Sequence, residues 1–284
     1  MEPWHRNRLS VRQAELVESW LPGVRLVTDL SWNLLDTAVL EVADRHHRYV
    51  VKAAGPSNHH IGREIDAHES WVRVWALQNR APKLVQSDRS ENILVTEYLD
   101  GSLVEGTAAE YDPETYRQAG HLLRIFHEQT ARTDVDYEVR ATAKALSWLE
   151  KPHRISKSHV ARVRAILDGY RPKPVVLVPT HGDWQPRNWL MDGSELRVID
   201  FGRFELRPAA TDLCRLAVQQ WRSRSYLEAA FFEGYGPDSR DSELWNVTLL
   251  REAVSTAAWA YQVSDHKFEA QGHRMLRDAL ANFS

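Results

Sequence analysis

The stretch Pro179–Gly202 constrains this chain of 284 residues more than any other part of it. It carries a His-x-Asp-x-x-x-x-Asn run, formed by His181, Asp183 and Asn188. A strand-like Val-Val-Leu-Val precedes the run, and an Asp-Gly-Ser turn follows it. After the turn, a second apolar piece ends in an Asp-Phe-Gly sequence that begins at Asp200. This order predicts that the two polar groups stand at hairpin distance from each other.

The polar side chains of this stretch are those needed to move a phosphoryl group from a nucleotide to a hydroxyl. The carboxylate of Asp183 would accept or orient the hydroxyl proton. Asn188 and Asp200 offer hard oxygen ligands, which suit Mg²⁺. A hydrolase metal cluster of His181, Asp183 and Asp200 is a weaker alternative, because no further ligand stands at regular spacing nearby. A loop that merely satisfies buried backbone groups is the other alternative.

This stretch resembles the catalytic and metal-binding loops of the aminoglycoside phosphotransferase and choline kinase-like family, relatives of protein kinases. That family has His-Gly-Asp, an Asn five residues later, and then Ile-Asp-Phe-Gly or similar. Protein kinases have Arg at the position of Gly182, and too few residues separate Asp200 from Asp212 for their long activation segment. The resemblance implies an α+β, bilobal protein-kinase-like fold, with a small antiparallel-sheet N-lobe and a mostly helical C-lobe.

The predicted N-lobe, residues 1–98, would bind the nucleotide, and residues 99–284 would carry catalysis and the acceptor. Strand-like runs cover 24–30, 37–43 and 48–54, and one helix is expected over about 60–80. Glu97, Tyr98 and Leu99, followed by a turning Asp-Gly, resemble the segment that joins two kinase lobes. The resemblance implies that backbone groups there bind adenine.

Lys52 ends an apolar strand, where a lysine is normally avoided unless its ammonium has a partner. In kinase-like folds such a lysine holds nucleotide phosphates and pairs with a glutamate of the next helix. The family's Arg-Glu at the start of that helix matches Arg63-Glu64, so Glu64 is the predicted partner and Glu69 the fallback. Alternatively, Lys52 reaches the surface from an edge strand and Glu64 faces solvent.

The loop Ser31–Asp36 stands where protein kinases place a glycine-rich phosphate cover, yet it contains no glycine. The family it resembles also uses a glycine-poor loop, so Ser31 and Asn33 are candidate phosphate contacts. An ordinary hairpin turn is an equal alternative. The resemblance further implies that His181 orients the catalytic loop and that Asp212 supports it.

Composition narrows the partners and the compartment. The net charge of −3 gives no general signature for binding polyanions, so nucleic acid is not an expected partner. The single cysteine, Cys214, rules out an internal disulfide and fits a reducing cytoplasm. The N-terminus is polar, and no apolar run approaches the roughly 20 residues of a membrane helix. We therefore expect a cytoplasmic protein without a membrane partner.

The predicted activity is an ATP- and Mg²⁺-dependent small-molecule kinase. Carboxylates within 228–252 suit a cationic acceptor and favour an aminoglycoside or related antibiotic, as in a resistance enzyme. The basic segment 139–173 opposes this if it faces the same site. Choline, a sugar or an amino alcohol is the alternative acceptor. A catalytically silent nucleotide-binding module is the alternative from another class, disfavoured by the joint presence of the four residues Lys52, Asp183, Asn188 and Asp200.

Overall fold

The computed structural model describes residues 4–32 and 36–283. Its strands are β1 (Arg25–Asp29), β2 (Thr37–Ala43), β3 (Arg48–Ala54), β4 (Leu84–Asp88), β5 (Ile93–Glu97), β6 (Ser102–Leu103), β7 (Arg132–Asp134), β8 (Val175–Thr180), β9 (Trp189–Asp192), β10 (Glu195–Val198) and β11 (Glu205–Arg207). Its α-helices are α1 (Val11–Trp20), α2 (His60–Ser70), α3 (Arg73–Ala76), α4 (Pro113–His127), α5 (Tyr137–Trp148), α6 (Lys157–Gly169), α7 (Cys214–Val218), α8 (Ser225–Tyr235), α9 (Ser242–Gln262) and α10 (His266–Ala281).

The chain divides into two compact units. The first comprises Met1–Gln129, Pro179–Glu205 and Tyr226–Gly236, and the second Thr130–Val178, Leu206–Ser225 and Pro237–Ser284. The lobe boundary expected between residues 98 and 99 lies inside the first unit, so the division into lobes 1–98 and 99–284 stays a prediction. In the described residues, no helix is both long enough and apolar enough to cross a membrane.

A five-stranded antiparallel sheet, in the order β1-β2-β3-β5-β4, forms the N-terminal part of the first unit. Its core packs against α1 through fully buried side chains such as Val17, Leu40 and Val51. In the register, Lys52 stands opposite Val39 of β2 and Leu94 of β5. Lys52 therefore lies on an interior strand, which rules out the alternative in which it leaves an edge strand for solvent.

The single helix expected over 60–80 is wrong, because α2 ends at Ser70 and a short α3 follows. Trp71 leaves helical geometry at φ −128°, and the amides of Trp71 and Val72 both donate to the carbonyl of Ala67. This break aims Trp75, which is fully buried, at the ring of Phe126, with ring centroids 4.3 Å apart. Burial of this large ring outweighs the continuous helical pattern of the sequence.

A small sheet in the order β10-β9-β6 fixes the segment around Asn188. The β9–β10 hairpin turns at the predicted Asp-Gly-Ser, and β6 pairs with β9 so that Leu103 stands opposite Leu190. The ladder continues with a 3.0 Å hydrogen bond from the Val104 amide to the Trp189 carbonyl. A second 3.0 Å bond runs from the Ile199 amide to the Asn188 carbonyl, beside Asp200. Strand pairing thus joins the two ends of the predicted site.

Helices α4 and α8 cross within the first unit at two glycines. A β-carbon added to Gly120 would stand 2.1 Å from the carbonyl oxygen of Phe231, and one added to Gly234 would stand 1.9 Å from that of Arg117. No side chain fits at these distances, because the obstacles are backbone atoms. The second unit has its own core, in which α5, α6, α9 and α10 contribute buried side chains such as Leu167, Leu250 and Leu276.

Candidate active site

Lys52 lies between two carboxylates. Its Nζ is 2.7 Å from Oε1 of Glu64 and 3.0 Å from Oδ1 of Asp200. The ion pair predicted with Glu64 is therefore present, and the fallback Glu69 bonds Arg89 instead. The side chains of Lys52 and Glu64 are 16% and 5% exposed, whereas that of Asp200 is 49% exposed.

The electrostatics of this trio keep Lys52 charged. Burial alone would lower the pKa of its ammonium, but the charges of Asp200 and Glu64 outweigh burial and raise that pKa above its ordinary value. The charge of Lys52 lowers the pKa of Asp200, against burial and the nearby charge of Asp183, which both raise it. The structure therefore presents an ionised, half-exposed carboxylate beside a fixed cation.

His181 is fully buried and organises the loop that follows β8. The backbone amide of Asp183 donates to its Nδ1 at 3.2 Å, and its Nε2 lies 3.1 Å from the carbonyl of Ile199. These partners together require the tautomer with the proton on Nε2. Gly182 has φ +81°, a conformation that glycine adopts without strain. His181 thus ties the two ends of the Pro179–Gly202 stretch together.

Three donors of the same loop converge on the carboxylate of Asp183, which is 2% exposed. Gln185 Nε2 donates to Oδ1 at 2.7 Å, and Oδ2 accepts from Arg187 Nη2 at 2.5 Å and from Asn188 Nδ2 at 3.0 Å. Asn188 Nδ2 also donates to the Asp183 carbonyl at 2.8 Å. The carboxylate is therefore held in one orientation by its own loop.

Asn188 and Asp200 have the right donor set for a hard divalent cation. The amide nitrogen of Asn188 is used on Asp183, which leaves its oxygen as the ligand atom, and Asp200 is half-exposed. Asp200 has φ +69°, a left-handed conformation that is uncommon outside glycine and often found at functional sites. The described residues contain no group of three or more His, Cys, Asp or Glu side chains that could hold a metal, so the hydrolase cluster finds no support.

Aromatic rings connect α2 to His181 and to Phe201, which follows Asp200. The His68 ring meets Phe201 edge-on with centroids 5.2 Å apart, and Phe201 lies 5.1 Å from His181. Burial first, and then the charge of Lys52, lower the pKa of His68 to about 3, so its ring is neutral near pH 7. His68 lies one helical turn from Glu64 on the buried face of α2. This spacing is the only feature of the sequence that places His68 near the site.

Among the described residues, no hydrogen bond or ion pair joins the other predicted nucleotide-binding residues to this trio. The Ser31 hydroxyl accepts from the Val39 amide at 3.0 Å, as in an ordinary hairpin end, and Asn33 lies outside the described residues. The amides of Glu97 and Tyr98 bond the carbonyls of Lys83 and Arg48. Within the described chain we find no hydrogen bond to the backbone of Leu99. The nucleotide roles given to these residues stay predictions.

Asp212 lies in a short 3-10 helix, Ala209–Leu213, of the second unit. It is 1% exposed, as expected for a structural carboxylate, and its role as a support for the catalytic loop stays a prediction.

Sequence reasoning missed three polar side chains at the site. Arg187 and Gln185 bond Asp183, and the ring Nδ1 of His60 lies 2.8 Å from the carbonyl of Gly202. Arg187 stands four residues after Asp183 inside the run already singled out, so its place in the sequence was the available signal. The pair His59 and His60 is exposed, as expected, and its rings stack.

The acidic residues that favoured a cationic acceptor are largely engaged elsewhere. Glu233 pairs with Arg117 at 2.7 Å in the first unit. In the second unit the following are paired or cap a helix: Asp238 with Arg240, Glu243 with Lys173, Glu252 with Arg215, and Asp241 at the start of α9. These carboxylates are therefore offset within the chain, and their number alone does not favour a cationic acceptor.

The basic segment 139–173 is partly neutralised within the second unit. Its ion pairs are Arg140 with Asp134, Arg154 with Glu269, Arg164 with Glu150 and Lys173 with Glu243. Only the cations outside these pairs can oppose a cationic acceptor.

Known structures share this fold at low sequence identity. The choline kinase LicA from Streptococcus pneumoniae is 16% identical, with a TM-score of 0.68 over 94% of this chain and 96% of its own. A thermostable mutant of aminoglycoside phosphotransferase APH(4)-Ia, in complex with ADP and hygromycin B, is 14% identical, with a TM-score of 0.70 over 96% and 99%. Spectinomycin phosphotransferase APH(9)-Ia, in complex with ADP and spectinomycin, is 13% identical, with a TM-score of 0.58 over 94% and 95%. These likenesses confirm the protein-kinase-like α+β fold.

Comparison by sequence gives the family. No curated protein sequence matches the chain. The model of the APH family, described as the phosphotransferase enzyme family, matches residues 30–245, which include the strand lysine, the catalytic loop and the Asp-Phe-Gly. The protein therefore belongs to the APH phosphotransferase enzyme family.

Proposed function

We propose that this protein is an ATP-dependent kinase that moves the γ-phosphoryl group to a hydroxyl of a small molecule. The observation that carries the proposal is the position of Lys52 between Glu64 and Asp200, with Asp183 fixed by Asn188 in the adjoining loop. A fixed cation, two oxygen ligands and an oriented carboxylate are the parts that phosphoryl transfer requires. Belonging to a phosphotransferase family supports the same reading.

Nucleotide binding rests on Lys52 and on the segment Glu97–Leu99. Lys52, held by Glu64, orients the phosphates, and the backbone amide of Leu99 is open to the edge of the adenine ring. The ADP present in the solved aminoglycoside and spectinomycin phosphotransferases supports a nucleotide at this fold. Phosphate contacts by Ser31 and Asn33 remain part of the proposal, although the Ser31 hydroxyl already bonds Val39.

Asn188 and Asp200 would hold Mg²⁺, which would offset the negative charge of the phosphates. Asp183 orients the acceptor hydroxyl and takes its proton. Because the transition state of phosphoryl transfer is loose, positioning contributes more than deprotonation. The three hydrogen bonds that fix the Asp183 carboxylate serve this positioning.

For the acceptor, we favour an aminoglycoside or related antibiotic, as in a resistance enzyme, because similar solved structures are phosphotransferases in complex with hygromycin B and spectinomycin. Choline or another amino alcohol is the second candidate, favoured by the likeness to choline kinase LicA. Sugars stay in the acceptor set. A silent nucleotide-binding module is disfavoured because Lys52, Asp183, Asn188 and Asp200 are all present, and because Lys52 contacts Asp200 and Asn188 contacts Asp183. The predicted cytoplasmic location stays a prediction.

The experiment is a nucleotide-binding assay followed by an acceptor screen. Thermal unfolding with ATP and Mg²⁺ should show a rise in Tm, as for any ligand that binds only the folded state. Phosphate transfer is then measured against aminoglycosides, peptide antibiotics, choline and sugars, with Asp183→Ala as the inactive control. A Tm rise without any acceptor would favour the silent module, and no response to nucleotide would contradict the proposal.

A further inference from the structure

Arg187 contacts Asp183, the carboxylate proposed to orient the acceptor hydroxyl, and the proposed function gives Arg187 no role. It lies in the 3-10 helix Pro186–Asn188, and its Nη2 is 2.5 Å from Oδ2 of Asp183. The Arg187 side chain is 39% exposed, whereas that of Asp183 is 3% exposed. One end of the guanidinium is thus anchored on a buried carboxylate, while much of the side chain remains accessible.

The rest of this guanidinium is open to a ligand. An arginine side chain has five N–H donors in a planar fork. Within the described chain, the bond from Nη2 to Asp183 is the one hydrogen bond that Arg187 makes. The remaining donors are therefore available to an anion, and the fork matches the spacing of phosphate oxygens.

Three carboxylates, those of Asp183, Asp200 and Glu105, interact electrostatically with Arg187. Burial alone would lower the pKa of Arg187, but the charge and hydrogen bond of Asp183, followed by the charges of Asp200 and Glu105, raise it. Glu105 follows Val104, whose amide bonds the carbonyl of Trp189, so the strand register sets it beside the catalytic loop. The guanidinium thus lies within the field of both the proposed acceptor carboxylate and the proposed metal ligand.

Lys52 cannot supply this charge alone. It bonds both Glu64 and Asp200, so its single positive charge is already shared between two carboxylates. With Asp183 the site holds three carboxylates, and Arg187 is a second cation in contact with them. A transferring phosphoryl group carries its charge on three equatorial oxygens, and a second cation beside them stabilises it.

We propose that Arg187 is a catalytic residue that binds the γ-phosphoryl group, with Asp183 holding its guanidinium in place for that contact. This inference rests on the proposed function, since it requires a bound nucleoside triphosphate. The competing role is purely structural, in which Arg187 merely neutralises the buried Asp183. The two roles separate when Asp183 is replaced by Asn, because no charged carboxylate is then left to neutralise and only a phosphoryl-binding Arg187 still distinguishes a triphosphate from a diphosphate.

The test compares the affinities for ADP and for the non-hydrolysable triphosphate AMP-PNP, each with Mg²⁺, by titration calorimetry. The proteins are the wild type, Arg187→Met and Arg187→Lys, and the same three with Asp183→Asn. Arg187→Met should weaken AMP-PNP binding by about ten- to a hundredfold, because hydrogen bonds to charged groups are strong. ADP affinity should stay within about twofold, as expected when a lost contact reaches only the γ-phosphate. Arg187→Lys should fall in between, since it keeps the charge and loses the fork.

Arg89→Met is the matched control. Arg89 belongs to the same compact unit, is 48% exposed, and its Nη2 lies 2.7 Å from both Asp66 and Glu69, away from the site. Both of its nucleotide affinities should equal those of the wild type. Thermal unfolding of each variant confirms that it is folded before titration. If Arg187→Met does not fold, the ratio of the two affinities in Arg187→Lys decides.

A ratio of AMP-PNP to ADP affinity that is unchanged in the Arg187 variants overturns the inference, whether both affinities fall together or neither moves. The proposed function would survive that result, because the wild type would still bind both nucleotides. A wild-type protein that binds neither nucleotide would instead overturn the proposed function, and this inference with it.

Discussion

The ammonium of Lys52 lies 3.0 Å from a carboxylate oxygen of Asp200, although the two residues are 148 positions apart in the chain. One residue belongs to an interior strand of the N-terminal sheet, and the other follows the β9–β10 hairpin. Their contact joins the predicted phosphate-binding lysine to the predicted metal ligand. Had the two residues opened onto different surfaces, the kinase reading would have been lost.

The buried pair of Lys52 and Glu64 should be coupled in stability. Lys52→Met removes the cation and leaves the Glu64 side chain, 5% exposed, without its charge partner, which should cost about 3 kcal/mol in the free energy of unfolding. The double variant Lys52→Met/Glu64→Gln should recover part of that loss, because the buried carboxylate is gone and the remaining one, Asp200, is half-exposed to solvent. Urea denaturation of the four proteins of this cycle measures the coupling. Additive losses would show that the pair is not coupled.

Asp183→Ala should lower turnover by about 10²- to 10⁴-fold, the range for loss of a positioned acid–base group, and leave nucleotide affinity nearly unchanged. The reason is that the proposed function assigns Asp183 to the acceptor hydroxyl, whereas Asp200, which contacts Lys52, would hold the metal that binds the phosphates. Asp200→Ala should therefore also weaken binding of ATP with Mg²⁺. Steady-state kinetics with the acceptor found in the screen, together with calorimetry, separate the two. Near wild-type turnover in Asp183→Ala would refute its assignment.

His68 should make the protein less stable in acid. Its pKa is about 3 in the folded protein against an ordinary 6.5, so the unfolded chain binds the extra proton between these values. Stability from this residue is complete above pH 6.5 and is lost as the pH falls below it, by at most about 1.4 kcal/mol per pH unit. His68→Leu should have a shallower acid slope, measured by urea denaturation from pH 7 to about 4.5. Parallel slopes in the two proteins would contradict this prediction.

The crossing of α4 and α8 should not tolerate a methyl group. Gly120→Ala would place its β-carbon 2.1 Å from the backbone oxygen of Phe231, so the helices must separate, at a cost of about 3 kcal/mol or more. Gly62→Ala in α2 is the matched control, because nothing lies within 4 Å of its added β-carbon. The control should gain about 0.5–1 kcal/mol from helix propensity. Thermal and urea unfolding compare the two, and equal stabilities would show that the crossing has room.

Most of the strands and helices could be predicted from local sequence patterns. The strand runs at 37–43 and 48–54 match β2 and β3, and the proline after the capping Asp112 marks the start of α4. These signals work because alternation and capping depend on neighbours in the sequence. The break between α2 and α3 was missed, since the burial of Trp75 against Phe126 depends on a helix far along the chain. The two-residue β6 was missed because its partner β9 is remote.

At the site, the type of chemistry could be predicted from residue type and spacing, whereas most of the contacts could be identified only from the folded structure. The pairing of Lys52 with Glu64 was predicted, because an ammonium on an apolar strand requires a partner. The ion pair of Arg187 with Asp183 was not predicted, although both residues stand in one short run. The short 3-10 helix Pro186–Asn188 sets the direction of the Arg187 side chain, and that direction cannot be read from the composition of the sequence.

The sequence by itself determined the kind of chemistry this protein can perform and the elements that carry it, because side-chain type and short-range periodicity are written in neighbouring residues. Only the tertiary structure decided which charges remain available. Glu233 counted as a substrate carboxylate in the sequence, yet it is neutralised by Arg117, 116 positions away. Such pairing follows from helix packing, and a charge taken up by another part of the same chain looks identical, in the sequence, to one that faces a substrate.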